Sequence, residues 1–139
     1  MGLYLSEENC YQRLEDEFKK YGKLVFCVDY DNTLYDCHNK GMNFNEIFTL
    51  LRRWEKYSEV IIFSVSKEDR YPEMEKYLND NNIKFKGINC DGSVICNPDC
   101  RKIYANVYID DRAGLPTVYR NLCKLISKIE KGEVIYENI

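Results

Sequence analysis

The sequence has no apolar run near the roughly 18 residues that a membrane-spanning helix needs. Its first residues lack the basic segment followed by an apolar one that is typical of a secretory signal. Basic residues are not in excess either, since 20 Lys and Arg stand against 23 Asp and Glu for a formal net charge of −3. We therefore expect a cytoplasmic protein with no membrane partner, for which nucleic acid is the disfavoured kind of ligand.

Histidine and paired cysteines are also scarce. His38 is the one histidine, and the seven cysteines are an odd number that fits free thiols better than a complete disulfide framework. Cys90, Cys96 and Cys100 follow the spacing C-x5-C-x3-C and lack the C-x2-C pairs of common structural zinc sites. A zinc site is therefore disfavoured.

Strand-like and helix-like segments alternate along the chain, which is typical of an α/β sheet. Residues 1–139 contain no linker or repeat and are enough for a single domain. The predicted strands are 24–28, 59–63, 84–88 and 106–110, with 134–136 as a candidate edge strand. The first predicted helix is 6–21, as an extension to the core, and the third and fourth are 69–81 and 115–131. The second carries one apolar face, made of Ile47, Phe48, Leu50, Leu51 and Trp54. Ser6 and Gly22 are expected to bound the first helix, and Asn43 with Glu46 to cap the second.

Polar side chains follow three of the predicted strands where each strand ends. Short connections through helices predict parallel strands, whose carboxyl ends share the edge where ligands bind in such sheets. Asp29 ends the first strand, Ser64 follows the second, and Asp110 with Asp111 ends the fourth. We therefore expect these side chains to lie at the same edge of the sheet.

These residue types suit phosphoryl transfer. A carboxylate beside a divalent cation can attack phosphorus, which suits Asp29, and a second acid two residues later, Asp31, can exchange protons with the leaving oxygen and with water. Carboxylates such as those of the Asp110 and Asp111 pair are ligands that Mg²⁺ prefers. A hydroxyl and a cation are needed to hold phosphate oxygens, and the candidates are Ser64 and Lys102. Each residue alone has an ordinary explanation, such as a turn, a cap or a solvated surface, but all of them fall at one end of one predicted sheet.

Four stretches together resemble the haloacid dehalogenase superfamily. VFCVDYDNT (25–33) resembles its first motif, VIIFS (60–64) its second, Lys102 its third and VYIDD (107–111) its fourth. The stretch 25–113 is also similar to a subgroup of small bacterial and phage phosphohydrolases that end in a YIDDRA-type motif. The resemblance implies a Rossmann-like three-layer sandwich with strand order 3-2-1-4, and phosphate-ester hydrolysis through an aspartyl-phosphate intermediate.

The same resemblance implies roles for single residues. Asp29 is the nucleophile and Asp31 the general acid and base. The implied Mg²⁺ ligands are Asp29, Asp31 through its backbone carbonyl, Asp110 and Asp111. The implied phosphate-binding residues are Thr33, Ser64 and Lys102. Among them, Thr33 orders the loop, and Ser64 and Lys102 bind the transferring phosphoryl group. Members of the subgroup often carry arginine two residues after the hydroxyl of the second motif, whereas this chain has Ser66, followed by Lys67.

The spacing between motifs leaves no room for a cap domain. The interval 31–64 holds one loop and one helix, and the interval 88–102 holds only a loop. The site is therefore expected to be open. An open site suits a large substrate or a lid from another subunit of a homo-oligomer, and 35–42 and 89–101 are candidate local lids. Sugar or polyol phosphates, nucleotides and phosphoproteins all remain open as substrates. The alternative is a binding or regulatory module that keeps the fold and holds a phosphorylated ligand with little turnover.

Overall fold

Strands and helices alternate along residues 5–137, the part of the chain that the computed structural model describes. The strands are β1 (Leu24–Asp29), β2 (Ser58–Phe63), β3 (Gly87–Ile88) and β4 (Val107–Ile109). The α-helices are α1 (Glu7–Tyr21), α2 (Asn45–Arg53), α3 (Tyr71–Asp80) and α4 (Leu115–Glu130). Short 3-10 turns at Glu55–Tyr57 and Glu68–Arg70 precede β2 and α3, so part of the predicted 69–81 helix is a 3-10 turn.

The four strands form one parallel sheet in the order β3-β2-β1-β4, as predicted. Central β1 pairs with β2 along its whole length, from Leu24 opposite Ser58 to Asp29 opposite Phe63. On its other side, Phe26 to Val28 pair with β4. β3 and β4 are shorter than predicted. Among residues 5–137, the segments 30–44 and 89–106 hold no helix and no strand of the sheet, so no cap domain is evident at either place. The α/β fold class and the strand order are confirmed.

One face of the sheet packs against the helices. Phe26, Val28, Val60 and Ile62 join the buried residues of all four helices in a single core. Trp54 lies at its centre, where its ring meets that of Phe26 at 5.1 Å and its Nε1 donates to the Leu122 carbonyl at 3.1 Å. The apolar side predicted for the second helix therefore packs as expected.

The opposite face of the sheet is covered by the irregular segment 89–106, which supplies the third layer in place of helices. Val25 and Ile61 on this face are buried. Gly92 lies so close that a Cβ there would stand 2.9 Å from Ile61 Cδ1. Ser93 donates its backbone N–H to Glu59 Oε1 at 2.6 Å and so ties the segment to β2. Asp29 belongs to this face, because it alternates with Val28 along β1.

Both ends of α1 are as predicted. The Ser6 hydroxyl accepts the backbone N–H of Asn9 at 3.1 Å, and Gly22 takes the left-handed conformation, φ 75°, that ends the helix. The helix spans no membrane, and no other helix among residues 5–137 has the length and apolar content for it.

Two predictions outside the sheet are wrong. Helix α2 begins at Asn45 after Phe44, and Asn43 accepts the N–H of Asn45 in a turn before the helix, so Asn43 and Glu46 do not form the predicted capping pair. The segment 134–136 adds no edge strand. It turns back along α1, where Val134 is buried and the Glu137 N–H donates to the Lys19 carbonyl at 2.9 Å. Burial of the Val134 side chain and a backbone hydrogen bond to α1 take the place of strand pairing there, while Ile135 and Tyr136 stay exposed.

Candidate active site

The carboxyl ends of β1, β2 and β4 meet around one open cleft of about 480 Å³. The pairing of Asp29 with Phe63 and of Val28 with Ile109 brings these three strand ends side by side. The lining residues are Asp29, Asp31, Asn32, Cys37, His38, Phe63, Ser64, Val65, Asp110, Asp111 and Arg112. Five of the predicted site residues therefore reach one cavity, namely Asp29, Asp31, Ser64, Asp110 and Asp111.

Three carboxylates converge at the base of this cleft. Asp29, Asp110 and Asp111 each offer an oxygen within 4.8 Å of the others. None of the ion pairs among residues 5–137 involves these carboxylates. Burial and then the charge of Asp110 raise the pKa of Asp29 to about 7. The protein therefore places negative charges together without neutralising them, an arrangement suited to a hard divalent cation.

Thr33 joins the ends of two strands below the carboxylates. Its side chain is fully buried. Its hydroxyl donates to Asp29 Oδ2 at 3.0 Å and accepts the backbone N–H of Asp111 at 3.1 Å. The turn that carries it is closed by the Tyr30 carbonyl, which accepts from Leu34 N at 2.9 Å, and Asn32 adopts φ 61°. Asparagine tolerates this left-handed conformation better than most residues. The D-x-D-x-T spacing thus fixes the loop that holds Asp29 and Asp31.

Asp31 has a different environment from the other acids. Arg70 Nη1 and Nη2 donate to its two carboxylate oxygens at 3.0 and 2.9 Å, a bidentate pair. Arg70 begins α3 as its N-cap, and it reaches Asp31 from 39 residues along the chain. The acid predicted to exchange protons is therefore held by a cation, whereas the acids predicted to bind metal are not.

Ser64 is held from two sides. Its backbone N–H donates to Asn89 Oδ1 at 2.9 Å, and Asn89 Nδ2 donates back to the Ser64 carbonyl at 2.7 Å. The Ser64 hydroxyl donates to Ser66 Oγ at 2.9 Å and accepts the Ser66 N–H at 3.0 Å. Because Asn89 directly follows β3, this amide clamp joins the ends of β2 and β3 beside the cleft.

Lys102 lies elsewhere. It lines a second pocket on the face covered by 89–106, together with Cys96, Cys100 and Tyr104. Its Nζ stands 5.1 Å from the centre of the Tyr108 ring, and it is not among the residues that line the cleft. The structure thus does not bring Lys102 to Asp29. The seven cysteines are unpaired, and the one group of three or more Cys, His, Asp or Glu with metal-ligand spacing in the described chain is the acidic one.

Arg70 and Asn89 were missed by the reading of the sequence. The one signal for Arg70 is its place next to the start of the predicted helix 69–81. Its contact with Ser66 does not follow from helical spacing, because Ser66 and Lys67 precede the first helical turn and Lys67 is extended. The second position after Ser64, where the resemblance implies an arginine, holds Ser66. Asn89 has no comparable signal, since an asparagine after a short strand is common in loops.

Comparisons of the chain with protein-family models, with curated proteins and with solved structures find no significant match. The assignment of a function therefore rests on the motifs and on the geometry of this cleft.

Proposed function

We propose that the protein is a Mg²⁺-dependent phosphatase that hydrolyses a phosphate monoester through an aspartyl-phosphate intermediate. The observation that carries the proposal is the convergence of Asp29, Asp110 and Asp111 within 4.8 Å in a cleft that Asp31 and Ser64 also line. The resemblance to haloacid dehalogenase phosphohydrolases assigns complementary roles to these same residues.

The donor set fits magnesium. Three carboxylates that form no ion pair within residues 5–137 offer the hard oxygen ligands that Mg²⁺ prefers, and the Asp31 carbonyl is the fourth candidate ligand. The cation, when bound, offsets the charge of the phosphate so that an anionic nucleophile can approach it. The cysteines of the chain take no part in this set, which argues against a soft metal.

The protein's own groups then divide the reaction between them. An Asp29 oxygen forms a bond to phosphorus while the bond from phosphorus to the ester oxygen breaks, and Asp31 gives that oxygen its proton so that an alcohol leaves. Asp31 next takes a proton from water as the water oxygen bonds to phosphorus, which releases phosphate and restores Asp29. Ser64, at the neighbouring strand end, is placed to hold phosphoryl oxygens.

The substrate is a phosphate monoester whose leaving group extends from an open cleft. Val65 is fully exposed and Phe63 partly so at its rim, so the alcohol part of the ester has apolar surface to contact. Sugar or polyol phosphates, nucleotides and phosphoproteins are the substrate classes to compare.

The experiment is a panel of phosphate esters incubated with purified protein, with Mg²⁺ or with a chelator. We expect Mg²⁺-dependent release of phosphate, lost in Asp29→Asn because a neutral amide is a far weaker nucleophile. Asp80→Asn is the matched control, since Asp80 is an exposed acid on α3 that pairs with Lys76.

Vanadate, a mimic of the transferring phosphoryl group, separates this function from the alternative. Vanadate that binds with Mg²⁺ and sits in line with an Asp29 oxygen supports the phosphatase. If vanadate binds tightly while no ester of the panel is hydrolysed, the protein is a module that holds phosphorylated ligands. Wild-type turnover in Asp29→Asn would overturn the assignment of the nucleophile.

A further inference from the structure

Arg70 makes more contacts around Asp31 than a surface ion pair requires. Both members of the pair are partly buried, with 28% and 26% of their side-chain surface exposed. One guanidinium nitrogen donates a hydrogen bond to each carboxylate oxygen, and this bidentate geometry fixes the guanidinium in the plane of the carboxylate. Exposed ion pairs contribute little to stability because two mobile side chains lose conformational freedom when they pair. In the Arg70–Asp31 pair, both side chains are already restrained by their surroundings.

The restraint comes from aromatic rings. The Arg70 guanidinium carbon lies 5.3 Å from the centre of the Tyr30 ring and 5.7 Å from that of Tyr35, within cation–π range. These two rings stack on each other, and the Tyr77 ring meets both edge-on. Tyr30 is buried and stands between Asp29 and Asp31 in the chain. The support for Arg70 is thus part of the loop that holds both acids.

The positive charge of Arg70 does not stabilise α3. Arg70 precedes the first residue of α3, where the helix dipole favours negative charge. Glu73 in the first turn and Asp31 across the loop offset that cost. The position of Arg70 is therefore better explained by what it holds than by the stability of α3.

Arg70 also connects Asp31 with Ser64. Its Nη1 donates to Ser66 Oγ at 2.6 Å, and Ser66 Oγ accepts the Ser64 hydroxyl at 2.9 Å. A continuous path of hydrogen bonds thus runs from Asp31 through Arg70 and Ser66 to Ser64. The proposed proton-transfer group and the proposed phosphate-holding hydroxyl share one rigid frame.

We propose that Arg70 is the positioning residue for Asp31: it holds both carboxylate oxygens, each through one lone pair, and the second lone pair of one oxygen exchanges a proton with the leaving-group oxygen and then with water. This rests on the proposed phosphatase function. Asp31 lies beyond the end of β1, where strand pairing no longer fixes its side chain, so the orientation that proton transfer requires comes from the guanidinium.

The test compares two esters that need protonation of the leaving group to different degrees. p-Nitrophenyl phosphate has a good leaving group, and glycerol 2-phosphate has a poor one. The variants are Arg70→Gln, Arg70→Lys, Asp31→Asn and the double variant. Arg120→Gln is the matched control, because Arg120 also pairs in bidentate fashion, with Glu7 at 3.0 and 3.2 Å, but at the exposed surface of α4.

We expect kcat of Arg70→Gln on glycerol 2-phosphate to fall at least ~10-fold more than on p-nitrophenyl phosphate, with KM changed less than ~3-fold. Adding Arg70→Gln to Asp31→Asn should cost nothing more on either ester, because both changes remove the same proton transfer. Arg70→Lys should recover part of the loss, since it restores the charge without the two-pronged geometry.

Other results overturn the inference. Equal losses on both esters with a lower Tm assign Arg70 a purely structural role, and a rise in KM without a change in kcat assigns it to substrate binding. If wild type hydrolyses the esters and Arg70→Gln matches it, only the role of Arg70 fails. If wild type hydrolyses neither these esters nor any of the wider panel, the phosphatase function and the role of Arg70 fail together.

Discussion

The hydroxyl of Thr33 donates a hydrogen bond to Asp29 Oδ2 across 3.0 Å from a fully buried position. The Thr33 hydroxyl oxygen also accepts the backbone N–H of Asp111 at 3.1 Å, so one side chain sets the spacing between two of the clustered carboxylates. The hydroxyl is thus a link between the β1 and β4 ends of the cleft.

Thr33→Val should destabilise the protein and weaken its cation site together. The substitution keeps the shape but leaves the Asp111 N–H without its partner, at a cost of about 1–3 kcal/mol in the free energy of unfolding. Urea denaturation measures the first effect and Mg²⁺ titration by calorimetry the second. Thr33→Ser, which keeps the hydroxyl, is the control. Equal Mg²⁺ affinity in Thr33→Val and wild type would show that the link does not organise the site.

Asp110→Asn should weaken Mg²⁺ binding by at least ~10-fold, because it removes one charge from the cluster. The Mg²⁺-dependent rise in Tm should shrink in this variant and persist in Asp80→Asn, whose side chain lies on α3 away from the cleft. Identical Mg²⁺ titrations for Asp110→Asn and wild type would place the metal elsewhere.

Without metal, the contribution of Asp29 to the free energy of unfolding should fall as pH rises from about 4 to about 7. Its pKa in the folded protein, about 7, lies above the ordinary value of 3.8 because of burial and then Asp110. The unfolded chain therefore loses its proton first, and the folded state becomes relatively less stable until Asp29 also ionises. Solvent reaches this carboxylate, so we expect a penalty of only about 1–2 kcal/mol at about pH 8.

The pH effect is isolated by comparing wild type with Asp29→Asn in chelator. The free energy of unfolding of the variant should change less between about pH 4 and pH 7 and should exceed that of wild type at about pH 8. Mg²⁺ should stabilise wild type at the higher pH and the variant much less. Parallel pH curves for the two proteins would show that Asp29 carries no such penalty.

Lys102→Met tests whether Lys102 binds phosphate, as the motif resemblance implies, or lies outside the active site, as the structure shows. The motif resemblance assigns phosphate binding to Lys102, whereas its Nζ lies over Tyr108 outside the cleft. From the observed position we expect kcat/KM within ~3-fold of wild type, below the ~10-fold loss that removal of a phosphate contact causes at minimum. A loss of ~100-fold or more would support the motif and require segment 89–106 to bring Lys102 into the cleft during turnover.

The positions of the strands and the edge at which the acids lie were predictable from the sequence alone, and the strand order was implied by the resemblance of the motifs to a known family. Apolar runs such as 24–28 and 59–63 are local features, and their short connections through helices predict parallel strands. Since Asp29 ends β1, and Ser64 and Asp110 directly follow β2 and β4, the parallel sheet places them at a single edge. The end of α1 was predictable for the same reason, because a cap such as Gly22 acts within one turn.

Only the tertiary structure decided which charges are paired and which are free. The Asp31–Arg70 pair joins residues 39 positions apart, and the stacked rings beneath Arg70 depend on how the loop after β1 folds onto α3. Lys102 carries a motif position but lies over Tyr108, because segment 89–106 crosses the face of the sheet as an irregular layer instead of a helix. Hydrophobic periodicity is a property of neighbours in the chain and specifies elements and their order. Ion pairs and loop paths depend on contacts between distant residues, and local pattern carries little information about them.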